Sequence, residues 1–168
     1  MNKLIFLLTF LICVSCGRST DNRIRTNPAI VQSTIVGQEN PIINALSFIN
    51  SYVDNCNKMK ESIELVQWVN SNKLTTTNFR TELKRVMSQA KKVEPEIGLD
   101  ADPIFDAQDY PDKGFELDSF DSKTNYIVIK GKNWPDFKLT IKMVLENDDW
   151  LVDGCGIINI PNDKRIAR

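Results

Sequence analysis

Five aspartates, Asp100, Asp102, Asp106, Asp109 and Asp112, stand within residues 100–112 and form the densest group of carboxylates in the chain. Such spacing invites a calcium loop, which needs acidic or amide groups at its first, third and fifth positions and glycine at its sixth. Ile104 and Phe105 occupy the fifth and sixth positions here, so no metal is expected. Aspartates bonding their own backbone in turns, with Pro103 and Pro111 setting corners, are the simpler expectation. Phe105 and Tyr110 should then pin the loop to the core.

Asp153 is the acid with more scope for proton chemistry. It shares strand parity with Leu151 and Cys155, so a core-facing Cys155 would aim Asp153 at the helices, where desolvation raises a carboxyl pKa. A bulge at Gly154 or Gly156 would reverse the alternation and turn Asp153 outward. A structural or solvent-facing Asp153 is the expectation; an acid-base Asp153 working with Tyr110 or Tyr126 is the alternative. The chain has no histidine, which removes Ser-His-Asp and Cys-His nucleophiles and the commonest zinc ligand. No cofactor is implied.

Cys16 carries a different chemistry. Lys3 precedes an apolar run from Leu4 to Val14, and Ser15-Cys16-Gly17 follows. A membrane span needs about 20 apolar residues, so this shorter run predicts a secretory signal over residues 1–15. The small residues flanking Cys16 predict cleavage before it and lipidation on its sulfur, although Cys13 stands where leucine is usual. Gly17 after the cysteine points to the outer membrane, facing the periplasm. In that oxidising compartment Cys56 and Cys155 become a candidate disulfide, worth about 4.7 kcal/mol for a loop of roughly 100 residues in the chain-entropy model. Trp134, in a Gly131-Lys-Asn-Trp-Pro loop, either covers the end of the core or anchors a partner.

Residues 16–39 are polar and carry Asn27-Pro28, predicting a tether between the lipid and a single α+β domain over residues 40–168. Asn40-Pro41 predicts an N-cap and first helical residue, with an apolar stripe through Ile42, Leu46, Ile49, Val53 and Cys56. Shorter helical periodicity spans 62–69. Thr75-Thr-Thr caps a further helix carrying Phe79, Leu83, Val86, Met87 and Ala90, ending by Val93 because Glu94-Pro95 disfavours helical geometry. Phe137, Leu139, Ile141, Met143 and Leu145 then alternate with polar residues and predict a half-buried strand. Asn147-Asp148 turns into a last strand over 150–160, with 126–129 a more central strand and 115–120 an edge. Removing residues 1–15 takes only Lys3, leaving 20 basic against 22 acidic residues without a basic block, which argues against nucleic acid.

Phe48-Ile49-x-x-Tyr52-Val53, Leu74-Thr75, Phe79-x-x-x-Leu83, Asp102-Pro103, Asp106-Ala-Gln-Asp-Tyr-Pro111 and Trp150-Leu-Val-Asp-Gly154 together resemble a bacterial lipoprotein family known as the domain of unknown function 3828. The resemblance spans about residues 40–160. It implies a nuclear transport factor 2-like fold: N-terminal helices on the concave face of a curved antiparallel sheet of about four strands, forming a cone. The family implies no catalytic residues. The functional expectation is a non-enzymatic ligand- or protein-binding domain anchored in the cell envelope, with an immunity-type role as one version. The alternatives are a small isomerase- or hydratase-like cavity enzyme using Asp153, and a structural envelope lipoprotein. Asp153, Tyr110, Tyr126 and Trp134 are the candidate pocket or interaction residues.

Overall fold

The computed structural model describes residues 40–167; the signal, Cys16 and the tether lie outside the described residues. Helix α1 (Pro41–Cys56) begins as the sequence requires, with the Asn40 side chain accepting the Ile42 N–H at 2.9 Å and proline in the first turn. Its buried face runs through Ala45, Phe48, Ile49, Tyr52 and Val53, while Ile42, Leu46 and Cys56 flank it partly buried. The expected stripe is therefore rotated. Phe48 and Tyr52 lie one turn apart, and their larger apolar area takes the centre of the face.

Asn55 exchanges two hydrogen bonds with the Ile63 backbone, holding the link to α2 (Leu65–Ser71), which starts after Glu64 caps Gln67 and buries Trp68 and Val69. Helix α3 (Thr77–Val93) is capped by Thr76, whose hydroxyl accepts the Phe79 N–H at 2.9 Å, and buries Phe79 and Leu83. It stops before Pro95, as the sequence predicts.

The sheet comprises β1 (Phe115–Asp121), β2 (Tyr126–Gly131), β3 (Lys138–Glu146) and β4 (Asp149–Cys155), all antiparallel and in the order β1-β2-β3-β4. Leu139, Ile141 and Met143 are buried on one face of β3, but Leu145, expected on the same face, is 43 % exposed beside the hairpin turn. Asn147 and Asp148, both at positive φ (51° and 70°), make the two-residue turn that suits the right-handed twist of a hairpin.

The expected nuclear transport factor 2-like cone does not form. Among the described residues the strands pair only with their sequence neighbours, so nothing there joins β1 to β4 and the sheet stays open. Nor is there an empty concave face, because Phe48, Phe79, Phe105 and Phe115, each at most 1 % exposed, fill the space between helices and sheet. The architecture is α+β, with helices against an open four-stranded antiparallel sheet. On its far edge, β4 is met by residues 74–76, where Val152 donates to Leu74 O at 2.7 Å and Thr76 donates to Val152 O at 3.0 Å. Strand β4 also ends at Cys155 rather than near Ile160, because Gly156 (φ +59°) turns the chain and Ile158 donates back to Cys155 O.

The expected Cys56–Cys155 disulfide is absent: both are free thiols. Cys155 is buried with its Sγ 3.5 Å from Ile104 O. Cys56, at the end of α1 and off the centre of its buried face, lies beside Tyr52 instead.

Candidate functional site

Residues 99–112 form the loop that joins the helices to the sheet, and their carboxylates diverge. Asp102 turns into the protein, where Oδ1 accepts the Ile104 and Phe105 N–H groups at 2.8 and 2.9 Å and Oδ2 accepts the Tyr52 hydroxyl. Phe105 lies between two tyrosines, stacked on Tyr110 at 4.7 Å and tilted against Tyr52 at 5.0 Å. Tyr110 also donates to Asn57 Oδ1 at 3.2 Å. Phe105 and Tyr110 thus pin the loop to α1, as the sequence predicts.

Burial raises the Asp102 pKa, although its three hydrogen bonds pull the other way. Burial and the neighbouring Asp102 charge raise that of Tyr52, which keeps the phenol a donor. Burial also pushes the Cys56 thiol up to about 11, so at neutral pH it is protonated and a weak nucleophile. This carboxyl, phenol and thiol grouping was missed in the sequence, where Tyr52 reads as one more core aromatic. Asp102 lines an open groove of about 360 Å³ between α3 and the loop, with Met87, Lys91 and Ile97 among its walls. Its oxygens already accept three protein hydrogen bonds, so the carboxyl works as a clamp between loop and helix.

Asp153 is where the structure departs furthest from an acid-base role. Lys142 pairs with Gly154 and Met143 with Val152, leaving Asp153 as the extra residue of a bulge. The bulge that the glycines allowed is present, yet it leaves Asp153 only 5 % exposed. Oδ1 accepts from Thr76 Oγ1 at 2.9 Å and Asn78 Nδ2 at 3.0 Å, and Oδ2 meets Lys142 Nζ at 2.8 Å. Burial pushes its pKa up, but these donors and the Lys142 charge outweigh burial and hold it below the usual carboxylate value. Tyr110 is engaged elsewhere. Tyr126 stands opposite Lys142 in the ladder, with Lys164 Nζ 6.0 Å from its ring centroid. Neither the groove beside Asp102 nor the cleft beside Trp134 is lined by Asp153, Tyr110 or Tyr126.

Trp134 does face a cavity. It remains 45 % exposed while its ring packs edge-on against Phe137 at 5.1 Å. A cleft of about 440 Å³ opens beside it, with one wall from Ala107, Gln108 and Asp109, a second from Trp134, Asp136 and Phe137, and Ala167 completing the lining. Next to the cleft, the segments that lead into its two walls are tied to each other. Asn133 donates to Asp112 Oδ1 at 2.7 Å and accepts from Lys113 N at 3.4 Å, and Lys132 N donates to Gly114 O at 2.9 Å. Gly131 lies so close to Pro111 that an added Cβ would stand 2.5 Å from its Cγ. An exposed indole on a tied loop is a preformed contact surface, since little order remains to be imposed on binding.

No family model, curated protein or solved structure matches this chain. Asp136, which the sequence reading passed over, joins Asp109 in lining the Trp134 cleft. The available signal was the Trp134-Pro-Asp136 spacing, but its pairing with Asp109 is made only by the fold.

Proposed function

We propose that this chain is a lipid-anchored recognition domain of the cell envelope that docks a protein partner through the Trp134 cleft. One observation carries the docking reading: Trp134 keeps nearly half its surface in water on a loop whose backbone is hydrogen-bonded on both sides. A tryptophan needed only to cover the core would gain by burying more of that surface, at roughly 25 cal/mol per Å². Aromatic side chains in such settings dominate interface energetics. Anchoring through Cys16 and placement at the outer membrane rest on the Val14-Ser15-Cys16-Gly17 sequence. The cavity-enzyme alternative is disfavoured because the acid it required, Asp153, is saturated by three partners and pulled toward its ionised form.

The test is comparative capture from envelope extracts with the full-length chain, its Trp134→Ala variant and Val93→Ala, which truncates another exposed apolar residue on α3. One protein should be retained by wild type and Val93→Ala and lost with Trp134→Ala. Rebinding of that purified protein should weaken about 30-fold, the equivalent of a hot-spot loss of about 2 kcal/mol. Equal recovery and affinity with Trp134→Ala would refute the reading.

A further inference from the structure

We infer that the Trp134 cleft takes an arginine side chain presented by the partner, with the indole face and the carboxylates of Asp109 and Asp136 as its receptors. The inference rests on the docking reading and names what is docked.

Three features of the cleft converge on a cation. Its two walls each contribute an acid, Asp109 from one and Asp136 from the other, and no Lys or Arg is among its described lining residues. Neither carboxylate has a hydrogen-bond or ion-pair partner among the described residues, whereas nearby Asp112 is held by Asn133 and Lys113. The third feature is the exposed Trp134 indole that lines the same cleft, a ring type whose π-face attracts cations more strongly than that of tyrosine or phenylalanine. An apolar segment seated here would cover two carboxylates without compensating them, which is costly.

Guanidinium suits this combination better than ammonium. It is planar and weakly hydrated, so it stacks on an aromatic face. Its five N–H donors lie in one plane and can address carboxylates on two walls while the ring covers its face. A volume of about 440 Å³ falls in the range of ordinary ligand clefts and leaves room for flanking peptide. The ties between residues 112–114 and 132–133 hold the backbones beside the cleft before the ligand arrives.

The test titrates the full-length chain, labelled with ¹⁵N at tryptophan, with acetyl-Gly-Arg-Gly-amide and with the same peptide carrying citrulline, a neutral near-isostere of arginine. Trp134→Phe assigns the Trp134 indole signal against Trp68 and Trp150, and Arg168→Ala removes the guanidinium that follows Ala167 in sequence. The arginine peptide should shift the Trp134 indole saturably in the millimolar range, with the other two indoles unmoved. Citrulline, or the Asp109→Asn/Asp136→Asn double variant, should weaken binding about fivefold or more. An equal response to citrulline, or no shift at Trp134, overturns the arginine assignment. Neither result would touch the docking reading, which is tested separately by partner capture with Trp134→Ala.

Discussion

Replacing Gly156 by alanine is expected to destabilise the domain by about 2–5 kcal/mol, the sum of a left-handed residue acquiring a Cβ and of overpacking. Gly156 has φ +59°, and its added Cβ would stand 2.3 Å from Pro103 O and 2.4 Å from Ile104 O. Both obstacles are backbone atoms, which cannot swing aside as a side-chain tip can. Moving them would break the Ile157 N to Pro103 O hydrogen bond of 2.9 Å and shift Ile104 off the Cys155 sulfur. The disturbance would next reach Asp102, one residue before Pro103, and so the clamp on Tyr52. Gly98→Ala is the control: its φ is +72°, but only Lys91 Cγ comes near, at 3.7 Å, so it should cost only the conformational part, about 1–2 kcal/mol. Urea denaturation reads both, as a lowered midpoint at unchanged slope. A Gly156→Ala midpoint no lower than that of Gly98→Ala would contradict the packing of β4 against the loop.

Asp153→Ala is expected to cost about 2–3 kcal/mol at pH 7, at or below the roughly 3–5 kcal/mol of a fully buried broken ion pair because the Lys142 side chain is 33 % exposed. The loss reaches beyond the charge pair, since Asp153 also receives the hydroxyl of Thr76, the residue that caps α3. Adding Lys142→Met to Asp153→Ala should recover part of the loss, because no cation is then left without its counterion. The pH dependence has a definite sign. Asp153 is held below the usual carboxylate value, so the unfolded state binds its proton first as pH falls. Its stabilisation is complete above the unfolded pKa of about 4 and is lost as pH drops through the folded pKa. The gap between wild type and Asp153→Ala should therefore close toward strongly acid pH. A gap that stays constant with pH would mean that Asp153 is not the ionised partner of Lys142.

These residues also show which parts of the molecule could be read from sequence. Asn40-Pro41, the β3 alternation and Asn147-Asp148 act through local geometry, and each forms the element that geometry dictates. Where several apolar residues compete for one helix face, local spacing is insufficient, and α1 turned Phe48 and Tyr52 inward ahead of Leu46 and Cys56. The disulfide expectation leaned on that stripe and on compartment, neither of which specifies where two sulfurs point. The cone expectation leaned on a resemblance spread over loosely spaced apolar residues, a pattern shared by any α+β domain with helices on one face of a meander. For Asp153 the glycines signalled a bulge, but the covering by Thr76 and Asn78 depends on residues 74–76 meeting the β4 edge. Trp134 stood out because an aromatic in a Gly-Asn-Pro loop is conspicuous. Asp136 did not, and Asp109 stood out only as one of a cluster, because exposed carboxylates in separate loops look alike until the fold brings two of them to one cleft.

The docking role of the Trp134 cleft is tested most directly by photo-crosslinking in intact cells from a benzophenone amino acid replacing Pro135, which is exposed between Trp134 and Asp136. The same probe replacing Ile97 samples the groove beside Asp102, and at Lys123 it samples the distant β1–β2 turn. A single adduct from position 135, absent from positions 97 and 123 and abolished by Trp134→Ala, is the expected result. An adduct formed equally from position 97, or unaffected by Trp134→Ala, would place recognition elsewhere on the domain.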